Sequence, residues 1–99
     1  MPGPLAERAL PLVIGQYGPE HEQTGIHYFA LGLVSQASGK LSAAEDCFLR
    51  SLQIREKVYG PAGAATADAL QRLGTLHIKM GRFDAAESAL TRALRSARR

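Results

Sequence analysis

Three histidines, one cysteine and an arginine-rich end are the residues of this 99-residue chain with the most chemistry to offer. His21, His27 and His77 are not spaced as a ligand pair on one helical turn. No cysteine or carboxylate cluster joins them, so the four-ligand set that zinc requires does not assemble from the sequence. Cys47 has no histidine near it in sequence and falls on the inward side of a helical pattern, which makes it a core residue rather than a nucleophile. There is no glycine-rich phosphate loop, no dinucleotide fingerprint and no nucleophile elbow. The expectation is a protein without cofactor, metal or catalysis. Arg92, Arg95 and Arg99 share one helical face, and Arg95, Arg98 and Arg99 supply the excess in a net charge of +3 (pI about 9.4). A basic stripe without interleaved aromatic residues is a weak phosphate binder. A solvated helix end accounts for it, and a basic helical module touching nucleic acid is the alternative function.

Composition narrows the setting. With one cysteine no intrachain disulfide forms. No apolar run approaches the ~20 residues of a membrane span, and the N-terminus lacks the basic-then-apolar order of a signal peptide. A soluble, cytoplasmic protein is expected.

The elements that position these residues come from an internal repeat. Tyr17-Gly18-Pro19 returns as Tyr59-Gly60-Pro61, 42 residues later. At the same offset Gly39-Lys40-Leu41 matches Gly81-Arg82-Phe83, and Ala43-Ala44-Glu45 matches Ala85-Ala86-Glu87. Thr24, Leu31, Gly32, Arg50 and Leu52 match Thr66, Leu73, Gly74, Arg92 and Leu94. A fixed period of this length marks a stacked array. Each unit reads as two helices. Pro19 and Pro61 suit a first helical turn, and Gly39 and Gly81 suit left-handed caps that end the first helices. Ser42 with Glu45, and Asp84 with Glu87, have the spacing of capping boxes that open the second helices. Leu70, Leu73, Leu76 and His77 form one apolar face, and Ala86, Ala89, Leu90, Ala93 and Leu94 another. Residues 5–17 align on 47–59 and are expected to be the second helix of a preceding unit, kinked or late-starting because of Pro11. The division is therefore 5–17, then a first repeat over 18–59 and a second over 60–99: an all-α stack of antiparallel hairpins, about five helices.

These residues resemble the tetratricopeptide repeat, in the 42-residue form seen in kinesin light chains. The second unit supplies Leu70, Leu73-Gly74, His77, Gly81, Phe83, Ala86, Leu90 and Ala93-Leu94; the first supplies Tyr28, Leu31-Gly32, Ser35, Gly39, Leu41, Ala44, Phe48 and Ser51-Leu52. The ordinary repeat has about 34 residues, so both helices are lengthened here. Small residues at Gly32, Gly74, Ala44 and Ala86 let helices cross closely, with Tyr28, Leu70, Phe48 and Leu90 filling the space beside them. Ser35, His77 and Ser51 depart from the pattern and are expected to leave the core of each unit imperfect.

The resemblance implies a protein-interaction scaffold whose first helices line a concave groove for an extended peptide or a partner helix. The groove places are Ile26, Phe29, Ala30, Leu33 and Gln36 in the first unit and Asp68, Gln71, Arg72, Thr75 and Lys79 in the second. The first set is apolar and the second polar and cationic. Either a neighbouring repeat or copy covers the apolar set, or it anchors a ligand side chain. A Lys–Asn–Arg clamp for a terminal carboxylate is not expected, since the chain has no asparagine. Two units and an unpaired helix leave apolar ends, with Ala85, Ala89 and Ala93 open to a following unit, so marginal stability or self-association is expected.

Overall fold

A computed structural model describes residues 5–97. Five helices follow in order: α1 (Leu5–Tyr17), α2 (Glu22–Ala37), α3 (Leu41–Tyr59), α4 (Ala64–Lys79) and α5 (Phe83–Ala97). There is no strand among the described residues. The short connections fold α2 back on α3, and α4 back on α5, as two hairpins. The hairpins stack because α4 lies on α3, and α1 lies on α2 in the same way. The fold is an all-α array of helix hairpins.

Two glycines set the hairpin geometry. Gly39 and Gly81 have φ of 79° and 77°, a backbone that side-chain-bearing residues rarely adopt. After each, the next amide turns back onto the finished helix: Lys40 N–H donates to Ser35 O at 2.8 Å and Arg82 N–H to His77 O at 2.8 Å. This is the paired-carbonyl ending of a Schellman motif. The tight stop has a consequence for the following helices. Lys40 O and Arg82 O already accept the first helical bonds, from Ala44 and Ala86. Lys40 is therefore the N-cap of α3, and Leu41 and Phe83 are the first helical residues. Ser42 and Asp84 lie inside the first turn and are exposed, so the expected capping boxes do not form.

Pro19 and Pro61 are likewise not helical. They stand in turns, and α2 and α4 begin at Glu22 and Ala64. The repeated threonines explain the delay. Thr24 Oγ1 donates to Gly18 O at 2.6 Å, and Thr66 Oγ1 to Gly60 O at 2.8 Å, each threonine fully buried. Each bond closes the turn over the start of the helix. His21 caps α2, its Nδ1 accepting from Gln23 N–H at 3.0 Å. In α1 the helix passes through exposed Pro11 from Leu5 onward, so it does not start late.

The core runs through the middle of the stack. Ala44, Phe48 and Leu52 of α3 meet Ala69, Leu70, Leu73 and Leu76 of α4, with Ala89 of α5. Within each hairpin a glycine admits a large side chain. A Cβ on Gly32 would lie 2.5 Å from Phe48 Cε1, and one on Gly74 would lie 2.5 Å from Leu90 Cγ. Two of the three polar departures from the repeat pattern, Ser51 and His77, find partners, although His77 Nδ1 stays buried without one. Ser51 Oγ donates to Gly25 O at 2.9 Å across the first hairpin, and His77 is buried against Glu45. Each buried hydroxyl or ring N–H that finds an acceptor in this way avoids the cost of an unsatisfied group.

Candidate interaction surface

Helix α2 presents two faces. Leu31, Gly32 and Ser35 point into the stack and are buried. On the other side Ile26 is 47% exposed and Leu33 36%, with Ala30 also open to solvent and Gln36 half-buried. Phe29 lies between the two. Its ring centroid is 5.5 Å from that of Phe48, and the Arg55 guanidinium carbon sits 4.2 Å above its face. Helix α4 offers a polar counterpart: Asp68, Gln71, Arg72, Thr75 and Lys79 are all exposed, and Thr75 Oγ1 is held by Gln71 O at 3.0 Å. Of the repeat-pattern residues, Leu31, Gly32, Ala44, Phe48, Leu70, Leu73, Gly74 and Ala86 are buried. Tyr28, Leu90 and Ala93 are half-buried, Gly39 and Gly81 occupy turns, and Phe83 is exposed.

Ionic contacts that the sequence pattern did not reveal fasten one hairpin to the next, and two of them centre on Arg55 and Glu45. Arg55 of α3 is buried beside Phe29 and donates to Ala65 O at 2.8 Å, at the start of α4, with Asp68 Oδ2 3.9 Å away. Burial pulls its pKa below the ordinary arginine value and Asp68 opposes that shift; an arginine remains charged throughout. The position 42 residues on is Ala97, so the repeat carried no sign of it. The second contact is Glu45. Its Oε2 accepts from Arg82 Nη1 at 2.7 Å and meets His77 Nε2 at 2.9 Å. An ionised carboxylate can only accept, so His77 Nε2 faces Glu45 as the donor, while Nδ1 is buried without a hydrogen-bond partner. Burial pushes the Glu45 carboxyl up, but the His77 hydrogen bond and the Arg82 guanidinium together outweigh it and hold the group below the usual glutamate range.

The sign of the linkage follows. A carboxyl with a depressed folded-state pKa stabilises the fold above its unfolded value, near 4.3, and that stability is lost as pH falls through the folded value. Glu45→Gln is expected to melt below the wild type at pH 7, and the gap is expected to close below about pH 4. Thermal melts of both proteins from pH 7 to pH 3 give the comparison; a gap that persists undiminished at pH 3 shows that the charge is not the source.

Other charges hold the outer surface. Lys57 Nζ lies 2.6 Å from Glu20 and lowers its pKa, Tyr59 bonds Glu22, and Arg92 Nη2 lies 2.5 Å from Glu56. His21 stacks on Tyr17 at 4.9 Å. Arg98 and Arg99 lie outside the described residues. No helix among those residues is long and apolar enough to cross a membrane.

An open groove follows the second hairpin, bordered by Ala67, Asp68 and Gln71 of α4 and by Leu90, Ala93 and Leu94 of α5. Asp68 and Gln71 thus belong both to the polar row of α4 and to this groove. The expected run of Ala85, Ala89 and Ala93 is not what α5 presents there, since Ala89 is buried in the core.

Hairpins of one form stacked in register define a helical-repeat protein. The tetratricopeptide repeat family model matches residues 4–57 and, overlapping, residues 30–99; the chain belongs to the tetratricopeptide repeat family. No curated protein resembles it closely enough to count as a match. Repeats of this family are protein-interaction scaffolds, typically without catalysis.

Proposed function

We propose that this chain is a scaffold that receives an extended peptide or a partner helix on the face shared by α2 and α4. The observation that carries the reading is the exposure of Ile26 and Leu33 on a helix whose other face is fully used by the core. Apolar side chains left open beside a polar row are the pattern of a contact surface. Arg72 and Lys79 on α4 add cationic partners for an acidic ligand group. In the competing nucleic-acid reading, one of the arginines on the basic face, Arg92, is already engaged by Glu56.

The test is selection of peptides from a displayed random library against the purified chain, followed by fluorescence anisotropy. Ile26→Asp with Leu33→Asp is expected to weaken selected peptides at least tenfold, about 1.4 kcal/mol, with the helical circular dichroism unchanged. Equal binding by the double variant, or no enriched peptide at all, overturns the proposal. Binding of a DNA or RNA oligomer that falls steeply with salt would favour the arginine-rich end instead.

A further inference from the structure

Arg55 bridges the two hairpins and has no counterpart in the repeat, where Val13 and Ala97 hold the equivalent positions. Its stem passes α2 at Gly25, where an added Cβ would lie 4.0 Å from Arg55 Cγ. Its guanidinium carbon then lies 4.2 Å over the Phe29 ring, and Nη1 donates to Ala65 O at 2.8 Å. The side chain is only 10% exposed. A guanidinium carries five N–H donors, and among the described residues Ala65 O is the acceptor that Arg55 reaches. Asp68 Oδ2, at 3.9 Å, is too far to accept a hydrogen bond. The remaining donors are not sealed off: the buried side-chain polar atom without a partner among the described residues is His77 Nδ1. A cation this enclosed with most donors unused is costly, and a bound acceptor removes that cost.

The surroundings decide which acceptor fits. Asp68 holds on α4 the place that Ile26 holds on α2, 42 residues earlier, and its side chain is 53% exposed. Donors and an acceptor therefore stand side by side between the two hairpins, next to an exposed apolar residue. We propose that the Arg55–Asp68 pair selects a carboxamide side chain, Asn or Gln, in a peptide whose apolar residue is seated on Ile26 and Leu33; this rests on the α2–α4 face being the peptide site. The carboxamide oxygen accepts from the unused Arg55 N–H groups and its NH2 donates to Asp68 Oδ2, so one ligand group spans the 3.9 Å gap. A ligand carboxylate would gain from Arg55 but set its second oxygen against Asp68, and an ammonium would meet the reverse conflict. The charges of Arg55 and Asp68 already offset one another, so a charged ligand group loses its hydration for little net attraction. A neutral amide loses far less on burial.

The probe is a peptide enriched from the random library on the full chain and dependent on Ile26 and Leu33. Its Asn or Gln is replaced in turn by Glu, Lys and Leu, and binding is followed by anisotropy at one salt concentration. Each replacement is expected to weaken binding to the wild type at least tenfold. Asp68→Asn replaces the acceptor by a group that can donate. On that variant the Glu peptide is expected to bind more tightly than the Gln peptide, reversing the order. Asp68 is exposed, so the variant keeps the fold, checked by its melt. A purely structural Arg55–Asp68 pair would leave the order of the peptides as it was. Enriched peptides that depend on Ile26 and Leu33 yet carry no fixed Asn or Gln, that bind equally well with Glu in its place, or that keep their order on Asp68→Asn overturn the carboxamide assignment and leave the peptide site standing. A library that yields no enriched peptide overturns both.

Discussion

Phe48→Ala is expected to cost about 3–5 kcal/mol, the usual loss for a fully buried aromatic side chain truncated in a core. The residue has no exposed surface. It lies over Gly32, touches Phe29 and belongs to the cluster that joins α3 to α4. Its loss therefore weakens both the hairpin and the stack. Domains of this size have about 5–15 kcal/mol of total stability, and each kcal/mol moves the midpoint by about 4–8 °C. A fall on the order of 20 °C in the circular dichroism melt follows. Leu49→Ala, one residue along on the exposed side of α3, is expected to stay within about 0.5 kcal/mol. A Phe48→Ala midpoint within a few degrees of the wild type would mean that the hairpins do not stack through this ring.

Gly32→Val is expected to cost about 3 kcal/mol, the upper end for overpacking. Two effects oppose one another. Replacing a helical glycine gains a few tenths of a kcal/mol to about 1 kcal/mol in propensity. Against this, the first added carbon already falls within 2.5–2.9 Å of three atoms of the Phe48 ring, and valine adds two more. The ring is enclosed, so the clash wins. Gly15→Ala is the control: nothing lies within 4 Å of the added carbon, so only the propensity gain remains. The pair Gly32→Val and Phe48→Ala is expected to be non-additive, because the smaller residue makes room for the larger. Strict additivity in a denaturant-melt cycle would show that these two positions do not touch.

The hairpins were legible because their signals are local and occur twice. Leu70, Leu73 and Leu76 recur at helical spacing, and Gly39 and Gly81 mark where an L-residue backbone cannot continue. The helix starts were misread for an equally local reason. Ser42 and Asp84 have capping-box spacing, but the bonds closing the preceding helix consume the connection, and the following helix begins one residue before them. The prolines, too, were placed by preference alone, while Thr24 and Thr66 decide where the turn closes.

The pattern of apolar and small residues determines that the chain is helical, that it repeats, and which faces turn inward, because 3.6-residue periodicity and the 42-residue offset are properties of the string itself. What only the tertiary structure decides is how charge and exposure are distributed between repeats. Glu45 finds His77 and Arg82 some 32 and 37 positions away, and Arg55 reaches the first turn of α4. Leu52 and Leu94 are the same letter at equivalent places, yet one is sealed and the other open. Burial depends on whether a helix lies above a residue, and no property of the residue or its neighbours in sequence encodes that.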